Sequence, residues 1–180
     1  MDFWQTWLPA SEPGRLLKPF SGIDLMTEKR QAIYFSRDRA PAMGKTRVLI
    51  ADDHAIMRVG IKNILIRSSE IDVVGEAANG AEALKLVHEL RPDVLILDME
   101  MPVMDGIETA RRLQAMNSPV RILVLSAYDD RQYILEMLNL GASGYLIKDE
   151  APEVIVDAVQ GVANGDKGWI SRKAALRVQR

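Results

Sequence analysis

Five short apolar runs, each followed by a stretch with helical spacing, leave few folds open to this chain. The runs are Val48–Ala51, Val73–Ala77, Val94–Leu97, Ile122–Leu125 and Tyr145–Ile147. Short stretches rich in branched aliphatics suit strands buried on both faces. The segments between them carry apolar stripes of helical period. Ile56, Met57, Ile61, Ile64 and Leu65 make the first, and Ala83, Leu84, Val87 and Leu90 the second. Ile107, Ala110 and Leu113 come next, then Ile134, Met137 and Leu138, and last Val154, Ile155, Ala158, Val159 and Val162.

Strand–helix alternation sustained over about 120 residues implies parallel strands joined by helical crossovers. Because such crossovers are right-handed, few topologies remain. The expected fold is α/β: a doubly wound five-stranded parallel sheet with helices on both faces, with the flavodoxin-like strand order 2-1-3-4-5 among the few that remain and the one adopted here. Local punctuation agrees. Asn79-Gly80 precedes the second helix, Arg91-Pro92 closes it and Gly141 ends the fourth. Pro152 falls in the first turn of the last helix, where no amide proton is needed.

Residues 1–43 differ from the rest of the chain. They hold Phe3, Trp4, Trp7, Phe20, Tyr34 and Phe35, six of the ten aromatics, and Pro9, Pro13, Pro19 and Pro41, half the prolines. No apolar periodicity persists over a helical window there. The segment is expected to be a disordered leader, or upstream sequence with Met26 or Met43 as the true start. The competing reading is an aromatic segment that docks on the domain or on a partner.

Composition narrows the functional classes. A charge of −2 does not draw the chain to nucleic acid or to an anionic membrane. With no cysteine there is no disulfide, thiolate metal site or cysteine nucleophile. No apolar run approaches the roughly 18 residues that cross a bilayer. The first residues lack the basic start and apolar core of a secretory signal. A soluble, cytoplasmic protein is expected.

In open parallel sheets, ligands bind beyond the carboxyl ends of the strands. There the sequence places Asp52 and Asp53 after the first run, Asp98 after the third, Ser126 after the fourth and Lys148 after the fifth. Three carboxylates repel each other unless a cation neutralises them. Carboxylate oxygens suit a hard ion such as Mg²⁺. Such an ion would also neutralise an incoming phosphoryl group, for which one carboxylate is the nucleophile. Lys148 can pair with phosphoryl oxygens and Ser126 can donate a hydrogen bond to them.

Three stretches carry a resemblance to a known family. They are Val48-Leu49-Ile50-Ala51-Asp52-Asp53-His54, the run from Asp93 to Gly106 that holds Asp98-Met99-Glu100-Met101-Pro102, and Gly141-Ala142-Ser143-Gly144-Tyr145-Leu146-Ile147-Lys148-Asp149. In this order and spacing they strongly resemble receiver domains of two-component response regulators, over roughly residues 46–164. The resemblance makes Asp98 the phosphoacceptor. It makes Asp52 and Asp53 the acidic pair around Mg²⁺ (or Mn²⁺), with Asp98 and the main-chain carbonyl of Glu100 as further ligands. Lys148 becomes the phosphate-binding lysine, Ser126 the switch hydroxyl that also contacts phosphate, and Tyr145 the switch aromatic, which turns inward as Ser126 is drawn in. A sensor histidine kinase is the implied donor and a homodimer an implied product. No enzymatic turnover is implied beyond the domain's own Mg-dependent phosphorylation and dephosphorylation. Met99 and Glu100 flank the site and bear on the lifetime of the acyl phosphate.

Taken alone, most of these residues have plainer readings. An isolated Asp98 would be a helix cap and Ser126 a turn residue. Tyr145 could simply pack against the sheet. His54 and His88 lack ligand spacing and read as surface or loop residues, and Met99, Met101 and Met104 as loop packing. Gly44-Lys45-Thr46 is no phosphate loop, since position 39 is Arg39 rather than glycine and the segment precedes a strand. A flavodoxin-like nucleotide binder is set aside because Asp52-Asp53 would repel a phosphate.

The tail from Gly165 to Arg180 resembles the linker that joins receivers to a LuxR-type helix-turn-helix domain. Residues 44–164 are thus expected to form the receiver and 165–180 a linker toward an absent output domain. Arg172, Lys173, Arg177 and Arg180 read as a solvated face. The implied function is transcription control, with DNA bound only through the missing domain. The alternative is a stand-alone receiver acting as phosphorelay intermediate or protein-binding switch.

Overall fold

A computed structural model of the chain describes residues 44–179. The readings of residues 1–43 and of Arg180 lie outside the described residues. The elements, in chain order, are β1 (Thr46–Ala51), α1 (Ala55–Leu65), β2 (Ile71–Ala77), α2 (Gly80–Leu90), β3 (Val94–Leu97) and α3 (Gly106–Ala115). Next come β4 (Arg121–Ser126), α4 (Arg131–Asn139), β5 (Gly144–Ile147), α5 (Ala151–Ala163), β6 (Trp169–Ile170) and α6 (Arg172–Val178). Every strand pairing is parallel, and the sheet order is β2-β1-β3-β4-β5-β6.

The five expected strands and their order are present. The expectation of a five-stranded sheet is corrected by β6, which adds a sixth strand beside β5, Gly144 pairing with Trp169 and Tyr145 with Ile170. At two residues, β6 is too short to produce a readable apolar run. Its place is set by packing. The buried Trp169 lies against Gly161 of α5, where an added Cβ would collide with the indole ring. Likewise, α6 is a seven-residue helix whose Ala174 is fully buried. Arg172, Lys173 and Arg177, read as a solvated face, are exposed, while Ala174 between them packs inward.

Side chains alternate across the sheet, because successive residues of a strand point to opposite faces. Leu49, Ala51, Leu95, Leu97, Val124, Tyr145 and Ile147 face a cluster that includes α2, α3, α4 and Ala174 of α6. Val48, Ile50, Val94, Ile96, Leu123, Leu125 and Leu146 face the other, closed by Ile61 and Leu65 of α1, by Ile155, Val159 and Val162 of α5, and by Trp169. Each fully buried side chain of this kind contributes about 1.5–3 kcal/mol. Together the two clusters fix the register that brings the strand ends level.

Helix starts reflect local chemistry. Asn79 accepts from the Glu82 amide at 2.9 Å to cap α2, and the Glu82 carboxylate accepts from the Ala78 amide at 2.8 Å. Asp105 caps α3 through the Glu108 amide at 2.7 Å, and Asp130 caps α4 through the Gln132 amide at 2.8 Å. Helix α5 starts without a side-chain cap, with Pro152 in its first turn.

Candidate functional site

The strands β1 and β3 are adjacent and in register, so the residues beyond their carboxyl ends meet. The Asp98 amide donates to the Ala51 carbonyl at 2.9 Å, and the Asp52 amide donates to the Ala77 carbonyl at 3.1 Å. The ladder thus carries both aspartates to one edge. Carboxylate oxygens of Asp52, Asp53 and Asp98, with a ring nitrogen of His54, lie within 4.8 Å of one another. Asp52 and Asp98 are buried, at 2% and 4% exposure.

Lys148 enters from the end of β5, its amide donating to the Ser126 carbonyl at 2.8 Å. Its ammonium lies 2.8 Å from Oδ2 of Asp52 and 2.8 Å from Oδ2 of Asp98. Asp98 also accepts from the Met99 amide at 2.8 Å. Ser126 is fully buried, and its hydroxyl oxygen accepts from the Tyr128 amide at 3.0 Å. The Tyr145 ring is turned inward and fully buried, its hydroxyl donating to the Tyr128 carbonyl at 2.9 Å. Glu100 is exposed on the loop after β3.

Charge and burial compete in this cleft. Burial pushes the Asp98 carboxyl above its usual range, the Lys148 ammonium opposes that, and the neighbouring Asp52 adds to it. Burial also disfavours the charged form of Lys148, but the Asp52 and Asp98 carboxylates outweigh it and raise the ammonium above its usual range. Burial raises the Tyr145 phenol as well, against a hydrogen bond with Ser126. The Glu100 carboxylate beside it raises the Tyr128 phenol.

A hard divalent cation fits this donor set. Although Asp52 Oδ2 sits at ion-pair distance from Lys148, it is buried and has no hydrogen-bond donor at proper angles. A buried carboxylate oxygen with spare lone pairs, beside two more carboxylates, is suited to coordination by an oxygen-seeking ion.

Sequence reasoning missed three residues here. His54 is exposed as expected, yet its Nδ1 lies 2.7 Å from Asp53 and its amide donates to Asp52 at 2.8 Å, so it is not a bystander. Arg58 donates to the Asp52 carbonyl at 2.7 Å, fixing the loop after β1. At Gly106, a Cβ would collide with the Asp98 carbonyl oxygen, so only glycine lets α3 begin that close. The Asp105-Gly106 pair was the available signal. His54 and Arg58 had none, because their approach depends on how the loop turns.

Comparison with known proteins bears on this cleft. The family model of the response regulator receiver domain matches residues 48–160. The transcriptional regulatory protein DegU of Brevibacillus brevis is 40% identical over 121 residues, 67% of this chain and 51% of DegU. The nitrate/nitrite response regulator protein NarL of Escherichia coli K12 is 38% identical over 119 residues, 66% of this chain and 55% of NarL. This chain therefore spans about half the length of the curated relatives it matches. Among solved structures, the signal receiver domain of NarL from Mycobacterium tuberculosis superposes with a TM-score of 0.66 at 41% identity, covering 68% of this chain and 98% of that one.

Proposed function

The chain belongs to the response regulator receiver domain family, and we propose that it accepts a phosphoryl group on Asp98 from the phosphohistidine of a sensor histidine kinase. The observation that carries this reading is the single ammonium of Lys148 bridging two buried carboxylates, Asp52 and Asp98, at 2.8 Å each. An Asp98 oxygen forms the new bond to phosphorus while the phosphorus–nitrogen bond breaks, and the released imidazole nitrogen takes up a proton. Lys148 then pairs with the phosphoryl oxygens, and Ser126 donates its hydroxyl hydrogen to one of them. Asp52, Asp53, Asp98 and the main-chain carbonyl of Glu100 would hold Mg²⁺ or Mn²⁺, which supplies charge neutralisation at the transferring group.

Tyr145 belongs to the same device. Its ring is buried beside Ser126, and its hydroxyl is tied to the loop that Ser126 begins, so movement of that loop is felt at β5. We assign the pair as the switch by which loading of Asp98 alters the face formed by α4 and β5. The name of DegU, a transcriptional regulatory protein, supports transcription control as the output; the resemblance of the tail to a LuxR-type linker supports a DNA-binding domain as the means. A dimer formed on phosphorylation and a cytoplasmic setting, where the kinase presents its phosphohistidine, complete the reading. Among the described residues no helix is long and apolar enough to cross a membrane.

Mass spectrometry after incubation with acetyl phosphate and Mg²⁺ tests the assignment. Wild type is expected to gain one phosphoryl group that Asp98→Asn does not gain, and chelation of the metal should suppress the gain. An Asp98→Asn variant that labels as fast as wild type would overturn it.

A further inference from the structure

Helix α6 has seven residues, whereas an isolated helix in water is marginal below about 12–15. Its persistence therefore depends on what it touches. Ala174 is buried in one apolar cluster with Ile134 and Met137 of α4 and Tyr145 and Ile147 of β5. Just before the helix, the Ser171 amide donates to the Tyr145 carbonyl at 3.0 Å, and the Ser171 hydroxyl accepts from the Ile147 amide at 3.2 Å.

The two ends of the helix are tied to different loops. Near its start, the Lys173 amide donates to Glu150 at 3.0 Å and the Lys173 ammonium lies 3.3 Å from Asp149. Near its end, the Arg177 guanidinium donates twice to Asp129 Oδ2, at 2.9 and 2.7 Å. Asp149 directly follows Lys148, and Asp129 lies on the loop that Ser126 begins. Each tie is thus anchored in a loop that starts at the carboxyl end of a strand, after Ser126 of β4 or after Lys148 beyond β5, at the sheet edge that holds Asp98.

We propose that α6 is a releasable clasp, which joins the loop after Ser126 to the loop after Lys148 and lets go when Asp98 is loaded. The inference rests on the assignment of Asp98 as phosphoacceptor. Reaching a phosphoryl oxygen draws Ser126 toward Asp98 and carries Asp129 with it. Lys148 leaves its position between Asp52 and Asp98, and Asp149 and Glu150 move with it. Exposed ion pairs hold weakly one by one, so a small relative movement of their two anchors suffices to undo them. A helix this short does not survive alone once its ties part. The α4–β5 face that it covers then becomes accessible, and any chain joined beyond α6 is freed.

Hydrogen–deuterium exchange on the full chain, with and without acetyl phosphate and Mg²⁺, tests the clasp, with intact mass reporting the labelling of Asp98 in the same samples. Peptides over residues 171–179 are expected to exchange about tenfold faster in the labelled chain, while those over α1 keep their rate. Asp129→Arg or Arg177→Asp alone should speed exchange over the same residues without any phosphodonor, and the double charge swap should slow it again. A labelled chain whose residues 171–179 exchange at the unlabelled rate overturns the clasp and leaves the acceptor assignment standing. So does an Asp129→Arg variant with undiminished protection. If intact mass shows no phosphoryl gain, the acceptor assignment fails and release on loading fails with it.

Discussion

Asp98, the proposed nucleophile, lies where burial disfavours its charge. Burial raises its pKa and Lys148 only partly offsets the rise, so the folded chain holds this proton to higher pH than the unfolded chain. More protons are then bound when folded, from the ordinary carboxylate range upward, and that part of the stability is lost as pH rises through the raised value. Asp98→Asn removes the loss. Its urea midpoint should exceed that of wild type near neutral pH, with the gap closing in acid; equal midpoints at neutral pH would count against this balance. Lys148→Met has the opposite effect, leaving two buried carboxylates unpaired. Removing one partner of a buried ion pair costs about 3–5 kcal/mol, so this variant should lose stability on that order, less in acid where Asp98 is protonated. Gly106→Ala pushes a methyl group against the Asp98 carbonyl. A displacement of about 1 Å at a reacting group can cost on the order of 100-fold, so its acetyl phosphate labelling should slow by up to that factor. Unchanged labelling in a folded variant would show that the close approach is not needed. Asp52, Asp53, Asp98 and Lys148 were legible in the sequence because each ends or follows an apolar run. Gly106 was visible only as half of a turn pair, and the turning of the His54 ring back onto the Asp53 carboxylate was not visible at all.

Elements long enough to show a period were readable, and the short ones were not. The five longer strands and the helices α1 to α5 carry stripes or runs that point to their buried faces. By contrast, β6 and α6 hold two and seven residues, fewer than the window over which periodicity discriminates. They exist because Trp169 finds room above Gly161 and Ala174 finds room beside α4. Gly161→Ala fills the first of these spaces. Overpacking costs about 1–3 kcal/mol, and here it should fall on β6 and α6, seen as faster amide exchange over residues 169–179 with α1 to α3 unaffected. Uniform loss of protection across the chain would show instead that the edge strand is not a separable unit. The cap of α2 is a simpler case. Asn79→Ala removes the acceptor for the Glu82 amide and should cost about 1 kcal/mol in denaturant titration.

Across the described residues, one sheet with two faces does two jobs. Alternate side chains of β1, β3, β4 and β5 supply both apolar clusters, so the sheet is rigid where its ends must hold charge. Filling of the proposed ion site among the acids at that edge would make stability depend on the cation. By linkage, Mg²⁺ at about 100 times its dissociation constant should stabilise the fold by about 2.7 kcal/mol, read as a rise in Tm. Asp53→Asn should remove most of that rise, and a wild type whose Tm ignores Mg²⁺ would contradict the proposed ion site. Elsewhere the sign of the pH effect reverses. Lys62, with Arg58, holds Glu76 below the usual carboxylate range, a contribution present at neutral pH and lost on acidification.

The order of apolar runs and stripes determined the parallel sheet and the edge at which the polar residues gather, and narrowed the strand order to a few topologies, because period and crossover handedness are local and near-local constraints. Only the tertiary structure decided that Lys148 bridges Asp52 and Asp98, that Tyr145 lies inward, and that the tail folds back as β6 and α6. Those outcomes depend on distances between residues far apart in the chain, which packing against the two sheet faces fixes and no local pattern encodes.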